Sequence, residues 1–323
     1  GEDLAMVTMD DVTAQSLPMG LEVRLRCPLC TAPLLGFSCE RCDFALRQED
    51  GVWIAMPEER IAHYAPFTRD YAHIRAAQGR GSANADFYLN LPYKDTSGIN
   101  SAQWSIRART FDFLTKQLLK APAKPEMRRI LDVGAGNGWM SFRLALRGYA
   151  PVAVDLLTNS DDGLGAALHY RAALPRLFPR FQAEYTHLPF EDGQFDAVIF
   201  NASFHYSEDY SLTLREALRC VRTGGLVIIS DTPWYSHDKS GRRMIAERQA
   251  LYRRQYGTAS DSLRSLEYLT DERLETLERE FSIRWSVFAP WYGFKWATRP
   301  LVATLRGRRE PSRFRIYVTQ KNA

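Results

Sequence analysis

One stretch, Ile130 to Asp155, restricts what this 323-residue chain can become more than any other. It reads Ile130-Leu131-Asp132-Val133, then Gly134-Ala135-Gly136-Asn137-Gly138, then an amphipathic run from Trp139 to Arg147, then Pro151-Val152-Ala153-Val154-Asp155. A short apolar run, a three-glycine turn, a helical run and a second apolar run make a βαβ unit. Such units build open parallel sheets that bind ligands where strands end and helices begin. The glycines allow a tight turn and let a ligand approach the backbone without meeting a Cβ. Asp155 ends the second strand, where a carboxylate can accept from both hydroxyls of a ribose.

The glycine spacing narrows the ligand. A dinucleotide site spaces its glycines G-x-G-x-x-G, whereas this chain has G-x-G-x-G with Asp132 inside the preceding strand. That hhD-x-G-x-G-x-G form resembles the first motif of the class I S-adenosyl-L-methionine (SAM) methyltransferases. Further on, Glu184-Tyr185-Thr186-His187-Leu188-Pro189-Phe190 leads into Asp192-Gly193-Gln194-Phe195-Asp196-Ala197-Val198-Ile199-Phe200. This is similar to the family's D-x-x-x-LPF-x-D-x-x-FD-hhh run, which joins the third strand to the fourth. Glu184 stands where the family's aspartate accepts from the adenine amino group, and is one methylene longer. Arg222-Thr223-Gly224-Gly225 and the apolar run to Asp231 resemble the turn and fifth strand, with threonine in place of the usual proline. The resemblance covers Arg129 to Asp231. It implies an α/β fold, a Rossmann-like sheet of seven strands, mostly parallel with an antiparallel last strand. It also implies SAM as cofactor, held by Asp132, Gly134, Ala135, Gly136, Gly138, Asp155, Leu156, Glu184, Tyr185 and Asn201.

Four of the five cysteines lie close together, as Cys27-Pro28-Leu29-Cys30 and Cys39-Glu40-Arg41-Cys42. Two C-x-x-C pairs can close a tetrahedral four-sulfur shell around zinc, with no open position, so such a metal is structural. The other readings are redox dithiols, which come singly at a helix start, and disulfides, which belong to exported chains. Leu25 to Met56 resembles the zinc-ribbon modules of Trm112-like proteins. It is also similar to the front end of the large-subunit ribosomal RNA guanine-N1 methyltransferases, which carry a histidine in the second half-site where this chain has cysteine. Cys220 falls in an amphipathic run with Leu214, Leu218 and Val221 and reads as core.

The chain divides into a flexible leader at 1–22, a zinc ribbon at 23–57, a helical connecting or lid region at 58–125, and a SAM-binding domain at 126–323. The linker Ala121-Pro122-Ala123-Lys124-Pro125 precedes the last. Tyr71 and Tyr93 are the lid residues expected to lie over the cofactor. Thr270 caps a helix, and the alternating runs Phe281 to Phe288 and Arg313 to Gln320 read as the last two strands. An aromatic and basic insertion occupies 290–312, with Trp291, Tyr292, Phe294 and Trp296 beside Arg299, Arg306, Arg308 and Arg309. A substrate wall, an RNA contact, an interfacial helix meeting lipid and a solvated basic helix all suit it.

Asn201-Ala202-Ser203-Phe204-His205-Tyr206 ends the fourth strand, where the resemblance directs the transferring methyl. A hydroxyl or acidic carbon as acceptor needs a general base, and His205, then His187, are the candidates, with local packing as the alternative role. A small-molecule or lipid-like metabolite is the expected acceptor. An RNA base, gripped by the ribbon and the basic C-terminal region, is the second reading, and a non-catalytic SAM-binding or partner-binding protein the third. Net charge is only +4, which selects no polyanionic partner. No run approaches 18 apolar residues, and the first 20 residues lack the layout of a secretory signal, so a cytoplasmic protein without a transmembrane segment is expected.

Overall fold

The computed structural model describes residues 23–119 and 128–323. The leader read at 1–22 and the linker at 121–125 lie outside the described residues.

Among the described residues there are nine strands: β1 (Arg47–Glu49), β2 (Val52–Ile54), β3 (Arg129–Val133), β4 (Ala150–Asp155), β5 (Arg180–Gln182), β6 (Phe195–Asn201), β7 (Val221–Trp234), β8 (Ser286–Phe288) and β9 (Arg313–Gln320). They form one sheet in the order β1-β2-β5-β4-β3-β6-β7-β9-β8. From β2 through β7 every neighbouring pair is parallel, and β9 runs antiparallel between β7 and β8. The expected count of seven therefore becomes nine. The difference comes from the cysteine segment, whose β2 pairs in parallel with β5 through Trp53↔Phe181 and Ile54↔Gln182 and carries β1 outside it.

Alternation along the strands splits the core between two faces. In β3, Leu131 and Val133 join one buried layer with Val152, Val154, Phe181 and Phe200, while Ile130 joins the other with Ala153, Ile199 and Ile228. Val23, Leu25, Leu46 and Ala55 belong to the first layer, so the N-terminal segment shares the sheet's core. Backbone bonds from Arg26 N–H to the Pro189 carbonyl and from Glu191 N–H to the Arg24 carbonyl fasten it further.

The helices are α1 (Glu58–Ala77), α2 (Ala85–Leu89), α3 (Ser101–Phe113), α4 (Trp139–Leu146), α5 (Tyr210–Cys220), α6 (Asp238–Tyr256), α7 (Asp271–Phe281), α8 (Phe294–Ala297) and α9 (Arg299–Leu305). Thr270 caps α7 through its hydroxyl oxygen, which accepts from Arg273 N–H at 3.2 Å. The alternating run from Phe281 yields only the three residues of β8. Phe281 still belongs to α7, and Ser282 then turns the chain at φ 51°. Among the described residues no helix is long and apolar enough to cross a membrane.

Candidate functional site

The turn after β3 fixes the site. Gly134 has φ +77°, and a Cβ there would lie 2.2 Å from Ser203 Cβ and 2.6 Å from the Tyr185 hydroxyl oxygen, so only glycine fits. Gly138 has φ +82° and precedes α4, packed against Phe178. Gly134, Ala135 and Gly136 line a cavity of about 520 Å³, within the few hundred to about 1,000 Å³ usual for ligand sites. Asp155 and Leu156 after β4, Glu184 and Tyr185 after β5, and Asn201 at the end of β6 line the same cavity. Gly138 and Asp132 do not. Asp132 is buried on the α4 side and accepts from the Ser141 hydroxyl at 2.7 Å, and burial pushes its carboxyl up to about 7. It ties strand to helix instead of facing a ligand.

Asp155 Oδ2 accepts from Gly136 N–H at 2.7 Å and Oδ1 from Leu157 N–H at 2.9 Å. Burial raises its carboxyl, the two amides oppose that and Asp162 adds to it, leaving it at about 6. Glu184 Oε1 accepts from Arg60 Nη2 at 2.6 Å and from the Tyr64 hydroxyl at 2.9 Å, while Oε2 lies 3.9 Å from His187 Nδ1. His187 lines the cavity too, exposed beside Glu184. His205 lines it with Nδ1 3.4 Å from the Thr232 hydroxyl. Loss of solvent, then the charges of Arg107 and Arg248, push its imidazole down to about 3. His205 is therefore neutral at physiological pH, and a role as general base stays an expectation.

The roof comes from α1. Arg60, Tyr64, Phe67, Tyr71 and Arg75 all face the cavity, at spacings of four, three, four and four that place them on one helical face. Tyr71 meets Tyr206 edge-on at 5.6 Å, whereas Tyr93 lies elsewhere, half exposed and bonded to Asp112 and Arg147. Arg75 grips Asp162 at 2.6 and 3.2 Å, and the Asn159 side chain orders that loop by accepting from the amides of 161–163.

Two residues of the cavity, Arg80 and Asp231, were not among the site residues read from the sequence. Arg80 donates to Gln103, its buried Nε has no hydrogen-bond partner among the described residues, and desolvation and Arg75 lower its guanidinium to about 10. Asp231, in β7, is buried at φ 51°, with Oδ2 2.9 Å from Arg107 Nη1 and Oδ1 accepting from the Thr110 hydroxyl at 2.7 Å. Burial raises this carboxyl and Arg107 opposes the rise. Because these partners come from distant stretches, no local spacing announces them.

The four cysteines of the N-terminal segment are free, and their sulfurs lie within 4.8 Å of one another. Cys27 approaches Cys42 at 3.3 Å and Cys30 approaches Cys39 at 3.4 Å. A tetrahedral four-thiolate shell with bonds of about 2.3 Å spaces its sulfurs by about 3.8 Å, so this donor set fits such a metal.

Residues 131–229 match the family model described as the methyltransferase domain. The chain is 31% identical over 159 residues to the malonyl-acyl-carrier protein O-methyltransferase of Geobacter sulfurreducens, covering 49% of this chain and 52% of that protein. It is 32% identical over 102 residues to a sarcosine/dimethylglycine N-methyltransferase of Halorhodospira halochloris, covering 32% and 37%. With a demethylmenaquinone methyltransferase of Mycolicibacterium gilvum it shares 33% over 103 residues, covering 32% and 41%. The chain thus spans about half or less of the length of these curated relatives. A solved structure from Galdieria sulphuraria, described as a sarcosine dimethylglycine methyltransferase, superposes with a TM-score of 0.51 at 15% identity, covering 79% of this chain and 98% of that one. That likeness is one of fold.

Proposed function

We propose that this chain transfers a methyl group from S-adenosyl-L-methionine to a small-molecule or lipid-like acceptor, and that Cys27, Cys30, Cys39 and Cys42 hold a structural zinc ion. One observation carries the first reading. A single cavity collects the glycine turn, Asp155, Glu184 and Asn201 at the carboxyl ends of four adjacent parallel strands, which is where open α/β sheets bind ligands. S-adenosyl-L-methionine supplies a methyl already activated on a sulfonium. The protein's task is then alignment and exclusion of water, which contributes roughly 7–11 kcal/mol in well-oriented reactions.

Each polar wall of the cavity suits one part of that cofactor. Asp155 keeps lone pairs for the ribose hydroxyls beyond those given to Gly136 and Leu157. Glu184 Oε2 is free for the adenine amino group because Arg60 and Tyr64 bond the other oxygen. Arg80, a buried cation with an unpartnered Nε, suits the methionine carboxylate. The ring faces of Tyr71 and Tyr206 suit a sulfonium cation. His205 is a neutral hydrogen-bonding group that orients the acceptor. An acceptor atom that needs no deprotonation, such as a carboxylate oxygen, matches this wall best. The acceptor named for one relative, malonyl-acyl-carrier protein, is compatible with it.

Calorimetry with S-adenosylhomocysteine, and NAD as the competing nucleotide, tests the cofactor. One homocysteine ligand per chain and no NAD is the expected result; NAD alone would overturn it.

A further inference from the structure

A second, larger cavity of about 940 Å³ shares His205, Tyr206 and Pro233 with the first, so the two meet at the residues that follow β6 and close β7. Its other walls are α6, the α8–α9 segment and the turn after α9. The chemistry of these walls is lopsided. The cavity's two acids are already engaged: Glu247 with Arg309 at 2.7 Å and Arg243 at 4.0 Å, and Glu267 with Arg248 at 2.8 Å. Lys295, Arg306 and Arg308 line the same space with no carboxylate in ion-pair distance among the described residues. Arg299 stacks on Trp296 at 4.0 Å, which holds its guanidinium plane in place.

Lys295, Arg306 and Arg308 are exposed, and a turn sets the backbone that carries two of them. Gly307, at φ +62°, ends α9: its N–H bonds the Thr304 carbonyl while Arg308 N–H reaches back to the Ala303 carbonyl. This is a Schellman turn, and it sets Arg306 and Arg308 on either side of one glycine. Net charge over the whole chain is only +4, so this excess of positive charge is local and not a general property of the surface.

We propose that the second cavity is the acceptor's entry and that it binds an oxyanion of phosphate type carried by the acceptor, with Arg306, Arg308 and Lys295 as its unpaired partners. This rests on the methyl-transfer reading for the acceptor's fate, though not for the anion itself. Guanidinium groups hold phosphate oxygens by paired N–H donors, and a lysine ammonium adds a third cation beside them. An anion there lies one wall away from His205 and Tyr206, so the rest of the acceptor extends toward the first cavity. Phe294, Leu301 and Leu305 stand exposed on the adjoining segment, at 81%, 62% and 77% of full accessibility. The same chemistry can therefore come from a soluble phosphorylated metabolite or from an anionic lipid headgroup.

The test uses the full chain saturated with S-adenosylhomocysteine and titrated with inorganic pyrophosphate at low and high salt. Wild type should bind, more weakly at the higher salt. Arg306→Gln with Arg308→Gln should lose on the order of 10- to 100-fold in pyrophosphate affinity, with S-adenosylhomocysteine affinity unchanged. Arg279→Gln with Arg284→Gln removes equal charge from exposed positions outside the cavity and should bind pyrophosphate as wild type does. No pyrophosphate binding by wild type, or an equal loss in both double variants, overturns the proposal. Failure to bind S-adenosylhomocysteine would strike the cofactor reading instead, while the pyrophosphate titration would still read this cavity. Sedimentation with phosphatidylglycerol and phosphatidylcholine vesicles separates the sources. Retention on the anionic vesicles alone, lost in Arg306→Gln with Arg308→Gln, assigns a lipid headgroup; pyrophosphate binding without vesicle binding assigns a soluble acceptor.

Discussion

Removal of the Asp155 carboxylate probes the cofactor site most directly. Each of its oxygens already accepts one amide, Gly136 N–H at 2.7 Å and Leu157 N–H at 2.9 Å, and each has lone-pair capacity left for the cavity. Asp155→Ala should lower S-adenosylhomocysteine affinity by roughly 10- to 150-fold, since a hydrogen bond to a charged group is worth about 1.5–3 kcal/mol. The pH dependence supplies an independent arm. Burial holds this carboxyl at about 6, and the ribose contact uses the ionised form, so protonation competes with the ligand. Affinity should be level above about pH 7 and fall as pH drops through 6, reaching roughly tenfold weaker at pH 5. Asp155→Ala should lack that slope. Calorimetry from pH 7.5 to 5 on both proteins reads the two effects together. A wild-type affinity flat across the range, with a variant that binds equally well, would show that Asp155 only braces the glycine turn.

Asp132→Asn should stabilise the chain at pH 7.5 by on the order of 2–4 kcal/mol in thermal unfolding, because a carboxyl raised to about 7 contributes stability below its unfolded value near 4 that is lost as pH rises through 7. The gain should vanish by pH 4, and a destabilised variant would mean the charge is needed. Arg80→Ala should weaken S-adenosylhomocysteine by roughly 10- to 150-fold yet leave 5′-methylthioadenosine, which has no carboxylate, unaffected; equal losses for both ligands would remove Arg80 from that role. Once an acceptor is in hand, turnover should show no rise centred on pH 6.5, because His205 titrates at about 3; a rise that disappears in His205→Asn would restore it as the base. Metal analysis of protein prepared under reducing conditions should find about one zinc per chain, and none in Cys39→Ser.

What the sequence made legible was local. Gly134 to Gly138 and Asp155 declare themselves because φ near +77° and a carboxylate at a strand end are demands placed on single residues. Glu184 was found from its distance to Leu188-Pro189-Phe190, but its partners Arg60 and Tyr64 sit more than a hundred residues earlier, where only a helical spacing is visible. The cavity face of α1 is aromatic and basic instead of aliphatic, so hydropathy gives no hint that it roofs a ligand. His205 was legible as a position and not as a protonation state, since burial by distant elements, then Arg107 and Arg248 from α3 and α6, set it. The docking of the N-terminal cysteine segment was hidden for the same reason: nothing in Val52 to Ile54 announces a parallel partner at Phe181.

That docking bears on the border of the sheet. β5 has three residues, and without β2 its outer backbone groups would form the open border of a parallel sheet, a template for strands of other copies. In the folded chain the outermost strand is β1 instead, where Arg47, Gln48 and Glu49 all stand exposed and two of the three are charged, a composition that discourages addition of a stranger. The turn that delivers this guard carries the four free thiols, and their oxidation should appear as light scattering and soluble oligomers.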